Sequence, residues 1–280
     1  MMAPLQKTAI DHLLGFTYPL SPSGDVSLYG PPPWLFEGYA ASALLAFDPG
    51  LVDELLPDPL RLSGDPICRV SVHDLICDYG KGEAFAQANP DLAHFHEAVV
   101  ALMVEADGVR GQWCPFLWCD QDAEFAVGRE FYGWPQKLAS MSLTRPPLLR
   151  SWRQGDVVTG LVSRGHRSVF EIEIALERAG DVSLGDGRAV AFPQQSDAAL
   201  HFTETIQTHP VDLSVTRRLI STTMDDVVVR NLWSGEAVFR ALADELRFLE
   251  NAEPLGGRWH ELAWKKPWGQ KVIREGSAAL

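Results

Sequence analysis

From Ser168 the run SVFEIEIALE sets Phe170, Ile172, Ile174 and Leu176 against Glu171 and Glu173. This period-2 alternation predicts a strand with one buried face. Strand patterns also cover Leu35 to Phe47, Ile67 to Ile76, Glu97 to Glu105, Gln112 to Cys119, Ser140 to Leu143 and Val157 to Val162. Glu97 to Val104 is almost wholly apolar after its first residue, as expected of a strand buried on both faces. Helical signals are fewer. In FDPGLVDELLPDPL, Asp48 suits an N-cap, Pro49 the first helical position and Pro57 a stop, which predicts a helix of about two turns. In EAVFRALADELRFLENAEP, Val238, Leu242, Leu246 and Leu249 form a stripe with Phe239 beside it, predicting one long helix whose stripe joins the core. The first 33 residues, ending in YGPPPW, read as an extended Pro-rich arm laid over the surface or onto a neighbouring subunit. No repeat or linker divides the rest, so the expected class is α+β, mostly antiparallel strand, in one domain spanning residues 1–280.

Composition narrows the partners. The chain is 280 residues long, 46% apolar and 22% charged, which is the make-up of a globular protein with a sizeable core. Its formal charge of -13 argues against nucleic acid or an anionic membrane, both of which call for a basic patch. The start lacks a basic segment followed by an apolar run, and no later run approaches the roughly 18 apolar residues of a membrane span. A cytoplasmic location is expected. Cys68, Cys77, Cys114 and Cys119 have neither CxxC nor His-x3-His company, so buried reduced thiols are expected and zinc is not. There is no GxGxxG, P-loop or HExxH, and no metal or cofactor is expected.

The stretch AVGREFYGWPQKLA, residues 126–139, resembles the signature of the acetoacetate decarboxylase superfamily, which runs close to GRE, an aromatic, then G-F/Y-P-K-K-L. Other segments follow in family order: LLPDPL, FHEAVVALMVEADGVRG, and RRLISTTMDDVVVRNLWSGEAVFRAL with its W-x-G ending. The resemblance implies a cone-shaped antiparallel β-barrel with flanking helices, an apolar internal cavity and a homo-oligomer. It also implies imine chemistry, in which the first lysine of P-K-K attacks a keto acid. That lysine must be made a free amine by its surroundings, and acetoacetate decarboxylase is a standard example.

At that position this chain has Gln136, and an amide forms no imine. Lys137 falls on the second lysine, and in an extended segment an inward Gln136 implies an outward Lys137. The family arginine that would hold a substrate carboxylate falls at or beside Gly38, so that partner is missing there. A family cavity glutamate is replaced by Ser71, and period 2 sets Arg69, Ser71 and His73 on one face. Glu97 is retained, and burial in an apolar strand should raise its pKa toward neutrality, as suits an acid or base. The resemblance places Trp118 and Trp134 on the cavity wall, although tryptophan packs cores as readily.

The expectation is an enzyme of secondary metabolism acting on a small keto, enol or polyketide-like substrate, with Glu97, Gln136 and Lys137 as candidate catalytic residues. Ser71, His73, Trp118 and Trp134 are the candidate substrate contacts. Gln136 would donate to a carbonyl or enolate oxygen, with cyclisation, dehydration, hydrolysis or retro-aldol cleavage all open. Two alternatives stand beside it: an imine-forming decarboxylase or aldolase using Lys137, and a barrel that binds a small molecule without turning it over.

Overall fold

A computed structural model describes residues 13–52, 55–180, 200–208, 214–267, 269 and 271–279. Its strands are β1 (Trp34–Ala46), β2 (Arg61–Leu62), β3 (Ile67–Cys77), β4 (His94–Ala106), β5 (Val109–Cys119), β6 (Gln136–Leu138) and β7 (Ser140–Leu143). They continue with β8 (Val157–Arg164), β9 (Arg167–Ala179), β10 (Leu200–Thr208), β11 (Ser214–Thr223), β12 (Asp225–Ala241), β13 (Glu253–Lys266) and β14 (Lys271–Ala279). Among the described residues helix is confined to α1 (Glu83–Ala88), α2 (Pro90–Ala93), α3 (Asp122–Ala126) and short turns. All fourteen strands belong to one sheet, whose main path is β14-β11-β10-β5-β4-β3-β1-β13-β12-β9-β8-β7. Pairing is antiparallel except for β5 with β10 and β5 with β6.

The alternation of β1, β3, β4, β5 and β13 divides the interior in two. One set, including Ala41, Ala43, Val70, Val72, Ala98, Val100, Trp118 and Trp259, packs on Val158, Phe170, Ile172 and Ile174 of β8 and β9 to form the main apolar core. The intervening residues point the other way, and there the sheet lines a pocket. Register aligns them in rows across the strands. Glu97 pairs with His73, His73 with Ala40, and Ala40 with His260. In the next row Val99 pairs with Ser71, Ser71 with Ser42, and Ser42 with Arg258.

The predicted long helix is not formed. Residues up to Ala241 extend β12, where Val238 pairs with Glu173 and Phe239 with Ile172. Ala237, Phe239 and Ala241 pack on the core while Glu236, Val238 and Arg240 face out, so the segment also satisfies period 2. Pairing with β9 overrides the helix preference of its Ala, Glu and Arg residues. Only a 3-10 turn, Asp244–Leu249, remains, burying Leu246, Phe248 and Leu249. The earlier helix shrinks similarly: Asp48 caps the Gly50 amide as expected, but the 3-10 turn covers Pro49–Leu51, and residues 53–54 lie outside the described residues.

The arm from residue 13 onward folds against its own chain. Phe16 lies 5.9 Å from Tyr29 and 6.0 Å from Phe131, and Tyr29 meets Trp34 edge-on at 5.7 Å. The portion of the arm before residue 13 lies outside the described residues. Cys68, Cys77 and Cys119 are buried free thiols, and Cys114 is half-buried. Among the described residues no helix is long and apolar enough to cross a membrane.

Phe170 is fully buried between Trp118, at 5.8 Å, and Phe239, at 6.1 Å. Phe170→Ala is expected to cost about 3–5 kcal/mol. Urea unfolding should show this as a lower midpoint with an unchanged slope.

Candidate active site

The segment from α3 to β6 builds one end of the pocket. Gln121 caps α3 by accepting from the Glu124 amide, which fixes Glu124 with its side chain buried. Val127–Tyr132 continues as a π-helical turn ended by Gly133 in the left-handed region, at φ 72°. Such turns often occur at functional sites. The chain then doubles back, with the Trp134 amide donating to the Gly128 carbonyl at 2.7 Å and Arg129 Nη1 donating to the Gln136 carbonyl at 3.0 Å. Gly128 is required by close approach: a Cβ there would lie 1.8 Å from Gln136 Oε1.

Gln136 is fully buried, and its Nε2 donates to Glu97 Oε1 at 3.4 Å and to Glu124 Oε1 at 3.2 Å. An amide nitrogen carries two hydrogens, so both are engaged. The Tyr79 hydroxyl donates to the second Glu124 oxygen at 3.5 Å. Burial raises the carboxyl of Glu124 well above its usual range, and the nearby Glu97 raises it further. Burial also pushes Glu97 up, to about 7, against the lowering effects of Gln136, Arg69 and Lys266. Two such groups cannot both hold full charge beside one amide. Near neutrality Glu124 is the protonated member and Glu97 the one that ionises. His73 Nδ1 lies 3.7 Å from Glu97 Oε2, but burial and two arginines depress the imidazole to about 3, so the contact is not an ion pair at neutral pH.

The other polar lining groups are mainly basic side chains. Arg69, Arg258, His260 and His201 line the pocket with His73, Glu97 and Glu124. Arg69 donates to the neutral partners Ser71, at 3.1 Å, and Gln112, at 2.8 Å. Phe36, Trp134, Trp264, Met224, Val227 and Leu262 complete the apolar wall around a cavity of ≈ 130 Å³. Just beyond Trp134 lies Lys266, 1% exposed, with Nζ 2.9 Å from Thr222 Oγ1. That nitrogen sits 4.9 Å and 5.1 Å from the ring centres of Tyr132 and Trp134.

The family model for acetoacetate decarboxylase matches residues 17–274. The chain belongs to the acetoacetate decarboxylase family. The acetoacetate decarboxylase of Burkholderia multivorans is 24% identical over 194 residues, covering 68% of this chain and 66% of that protein. A structure of an acetoacetate decarboxylase-like enzyme from Sphingomonas wittichii RW1 superposes with a TM-score of 0.79 at 23% identity, over 93% of this chain and 99% of that one. The enduracididine biosynthesis enzyme MppR, solved with HEPES, gives 0.80 at 21% identity over 98% of each chain. MppR has also been solved with pyruvate and with the condensation product of pyruvate and imidazole 4-carboxaldehyde. These structures share the strand-dominated fold of the family.

Within this family framework, Glu97, His73 and Trp134 line the pocket, and Gln136 stands immediately behind its carboxyls. Lys137 is turned the other way: its amine bonds Glu245 Oε2 and lies 5.7 Å from the Phe116 ring centre. Trp118 does not line the pocket. Leu117 takes the pocket side of β5, and Trp118 is buried in the main core against Phe116 and Phe170. Ser71 lies beneath Arg69 as a hydrogen-bond acceptor, also outside the lining. Arg129 holds the Gln136 backbone, whereas Glu130 accepts from Thr17 at 3.4 Å. Gly38 cannot carry a side chain as placed, since a Cβ would meet the Asp74 carbonyl at 2.0 Å. Guanidinium groups reach the pocket from Arg69 and Arg258, set in a lining that is otherwise mostly apolar.

Sequence reading missed Glu124, Arg258, His260, His201 and Lys266. RWHELAWKK held a usable signal, because period 2 sets Arg258, His260, Leu262, Trp264 and Lys266 on one face. Nothing comparable marks Glu124, which stands on a helix of five residues.

Two outcomes are expected. Gly128→Ala should displace the Gln136 amide and cost about 1–3 kcal/mol, read as a lower thermal midpoint. Glu97, raised from 4.5 to about 7, lets the folded state bind more protons than the unfolded state between those values, so its contribution to stability falls as pH rises through that window. In Glu97→Gln, urea stability should therefore lose on the order of 1–3 kcal/mol of its decline between pH 5 and pH 7.

Proposed function

We propose that this chain is an enzyme that binds a small oxo acid and moves a proton between the carbon beside its carbonyl and Glu97. The observation that carries this reading is the buried amide of Gln136, which holds Glu97 and Glu124 together where the family motif would place an amine. A carboxyl group with a pKa near the working pH can both take and return a proton, which makes Glu97 suited to enolisation. Enolisation is a step common to retro-aldol cleavage, dehydration and cyclisation. Protonated Glu124 keeps negative charge from accumulating beside the developing enolate.

Arg69 and Arg258, both lining the pocket, give the substrate carboxylate a place there. The pyruvate complexes of MppR, a biosynthetic relative in fold, support an oxo acid and a role in secondary metabolism. At ≈ 130 Å³ the cavity lies below the roughly 300–1,000 Å³ usual for drug-sized ligands, which favours a compact oxo acid over a large polyketide. Gln136 positions the two carboxyls, because both its N–H groups are already engaged; this replaces the expected role as donor to the substrate oxygen. Lys137, bonded to Glu245, has no part in the reading.

The test is exchange of the pyruvate methyl protons in deuterated buffer, followed by NMR. Glu97→Gln is expected to slow enzyme-dependent exchange by about 100-fold or more. Exchange unchanged in that variant would remove Glu97 from the chemistry. Saturable pyruvate binding with no exchange by the unmodified protein would instead favour a binding barrel.

A further inference from the structure

We propose that Lys266 is the amine that condenses with the substrate keto carbon, so that the imine is formed from β13 and not from the signature segment. This rests on the oxo-acid reading of the pocket, but it concerns a different group on a different strand. The need for such a group follows from Gln136. With both its hydrogens engaged by Glu97 and Glu124, it has none left to stabilise an enolate oxygen. An acceptor of the electron pair has to come from another group, and a protonated imine takes it up more completely than a hydrogen bond does.

Placement supports Lys266 for that task. It lies on the same face of β13 as Arg258, His260, Leu262 and Trp264, all of which line the pocket. Its amine rests beside Trp134, a residue of the pocket wall, and bonds the neutral hydroxyl of Thr222. Among the described residues Lys266 makes no salt bridge, unlike its exposed neighbour Lys265, which bonds Asp226 at 2.7 Å. A structural buried lysine would be expected to hold a carboxylate close. Here Glu97 and Glu124 act on it at longer range, while burial drives the amine down to about 7. At neutral pH a large fraction of it is therefore uncharged and nucleophilic. Nζ must pass the edge of Trp134 to meet the keto carbon, a movement its flexible four-carbon stem permits.

The condensation balances without any further reactant. The Nζ lone pair bonds to the keto carbon while the C=O π pair takes up a proton from the carboxyl of Glu97 or Glu124, and the carboxylate so formed takes the proton that nitrogen then loses, giving a carbinolamine. A carboxyl proton from Glu97 or Glu124 then joins the hydroxyl, water departs, and the nitrogen lone pair forms the C=N bond of a protonated imine. Removal of the adjacent carbon's proton by Glu97 carboxylate sends the C–H pair toward that nitrogen.

The test uses the full chain with pyruvate, acetoacetate or 2-oxoglutarate, reduced with borohydride and mapped by peptide mass spectrometry. A reduced adduct is expected on Lys266, at about 100-fold or greater occupancy over Lys265, because the free-amine fractions differ by at least that much. Lys266→Arg should lose both adduct and proton exchange, with folding checked by near-ultraviolet circular dichroism. Absence of the Lys266 adduct in the unmodified protein, or an adduct on Lys137 in its place, overturns the proposal without relying on any variant. Glu97-dependent exchange with no Lys266 adduct sinks this proposal alone. A Lys266 adduct with exchange indifferent to Glu97→Gln supports it and sinks the acid–base reading. Failure of both adduct and exchange with all three oxo acids overturns both.

Discussion

Glu97 and Glu124 share one buried amide nitrogen, and that sharing is possible only if their combined charge is kept low. The amide gives each carboxyl a hydrogen bond without adding a positive charge, so protonation of Glu124 is what relieves the repulsion. Everything around the pair serves the same end. The π-helical turn removes a side chain at Gly128 so that the amide can enter, and Arg129 anchors the Gln136 carbonyl outside. The arm's Phe16 packs against Phe131 of that turn, which ties an otherwise peripheral segment to the geometry of the carboxyls.

A lysine at position 136 would alter this balance entirely. A titratable amine there would exchange protons with both carboxyls and, when protonated, favour their charged forms, whereas the amide has no proton to exchange and leaves burial to keep the carboxyls near their neutral forms. The substitution of Gln for the family's lysine is therefore a change in the proton inventory of the whole cluster. The basic groups of the interior then stand on β3 and β13, as the guanidiniums of Arg69 and Arg258 and the partly uncharged amine of Lys266.

Much of the fold was legible because the strands alternate cleanly: SVFEIEIALE becomes β9, and SMSL becomes β7 with the expected limits. EAVFRALADELRFL satisfied two periods at once, and only long-range pairing with Phe170 to Leu176 selected the strand. For the site, Glu97 and Gln136 were legible from motif position, and His73 from its face on β3. Trp118 was not, since the preceding residue takes the pocket side and no local pattern says which of two buried faces holds a cavity. Lys266 stood in an alternating run that was readable, but its burial depends on Tyr132 and Trp134, over a hundred positions away in the chain.

On β1 the pocket side passes from Phe36 through Gly38, Ala40 and Ser42, and Ala40 stands directly between His73 and His260. The central strand thus contributes space in place of chemistry. A methylene added at Ala40 would be subtracted from the volume between the two histidines, whereas Gly38 admits none because the Asp74 carbonyl fills its place, and Glu97, Glu124 and the arginines on neighbouring elements would keep theirs. Size selection and reactivity are consequently written on separate strands, and a lineage could retune what enters by drift along β1 without rewriting how the bound molecule reacts.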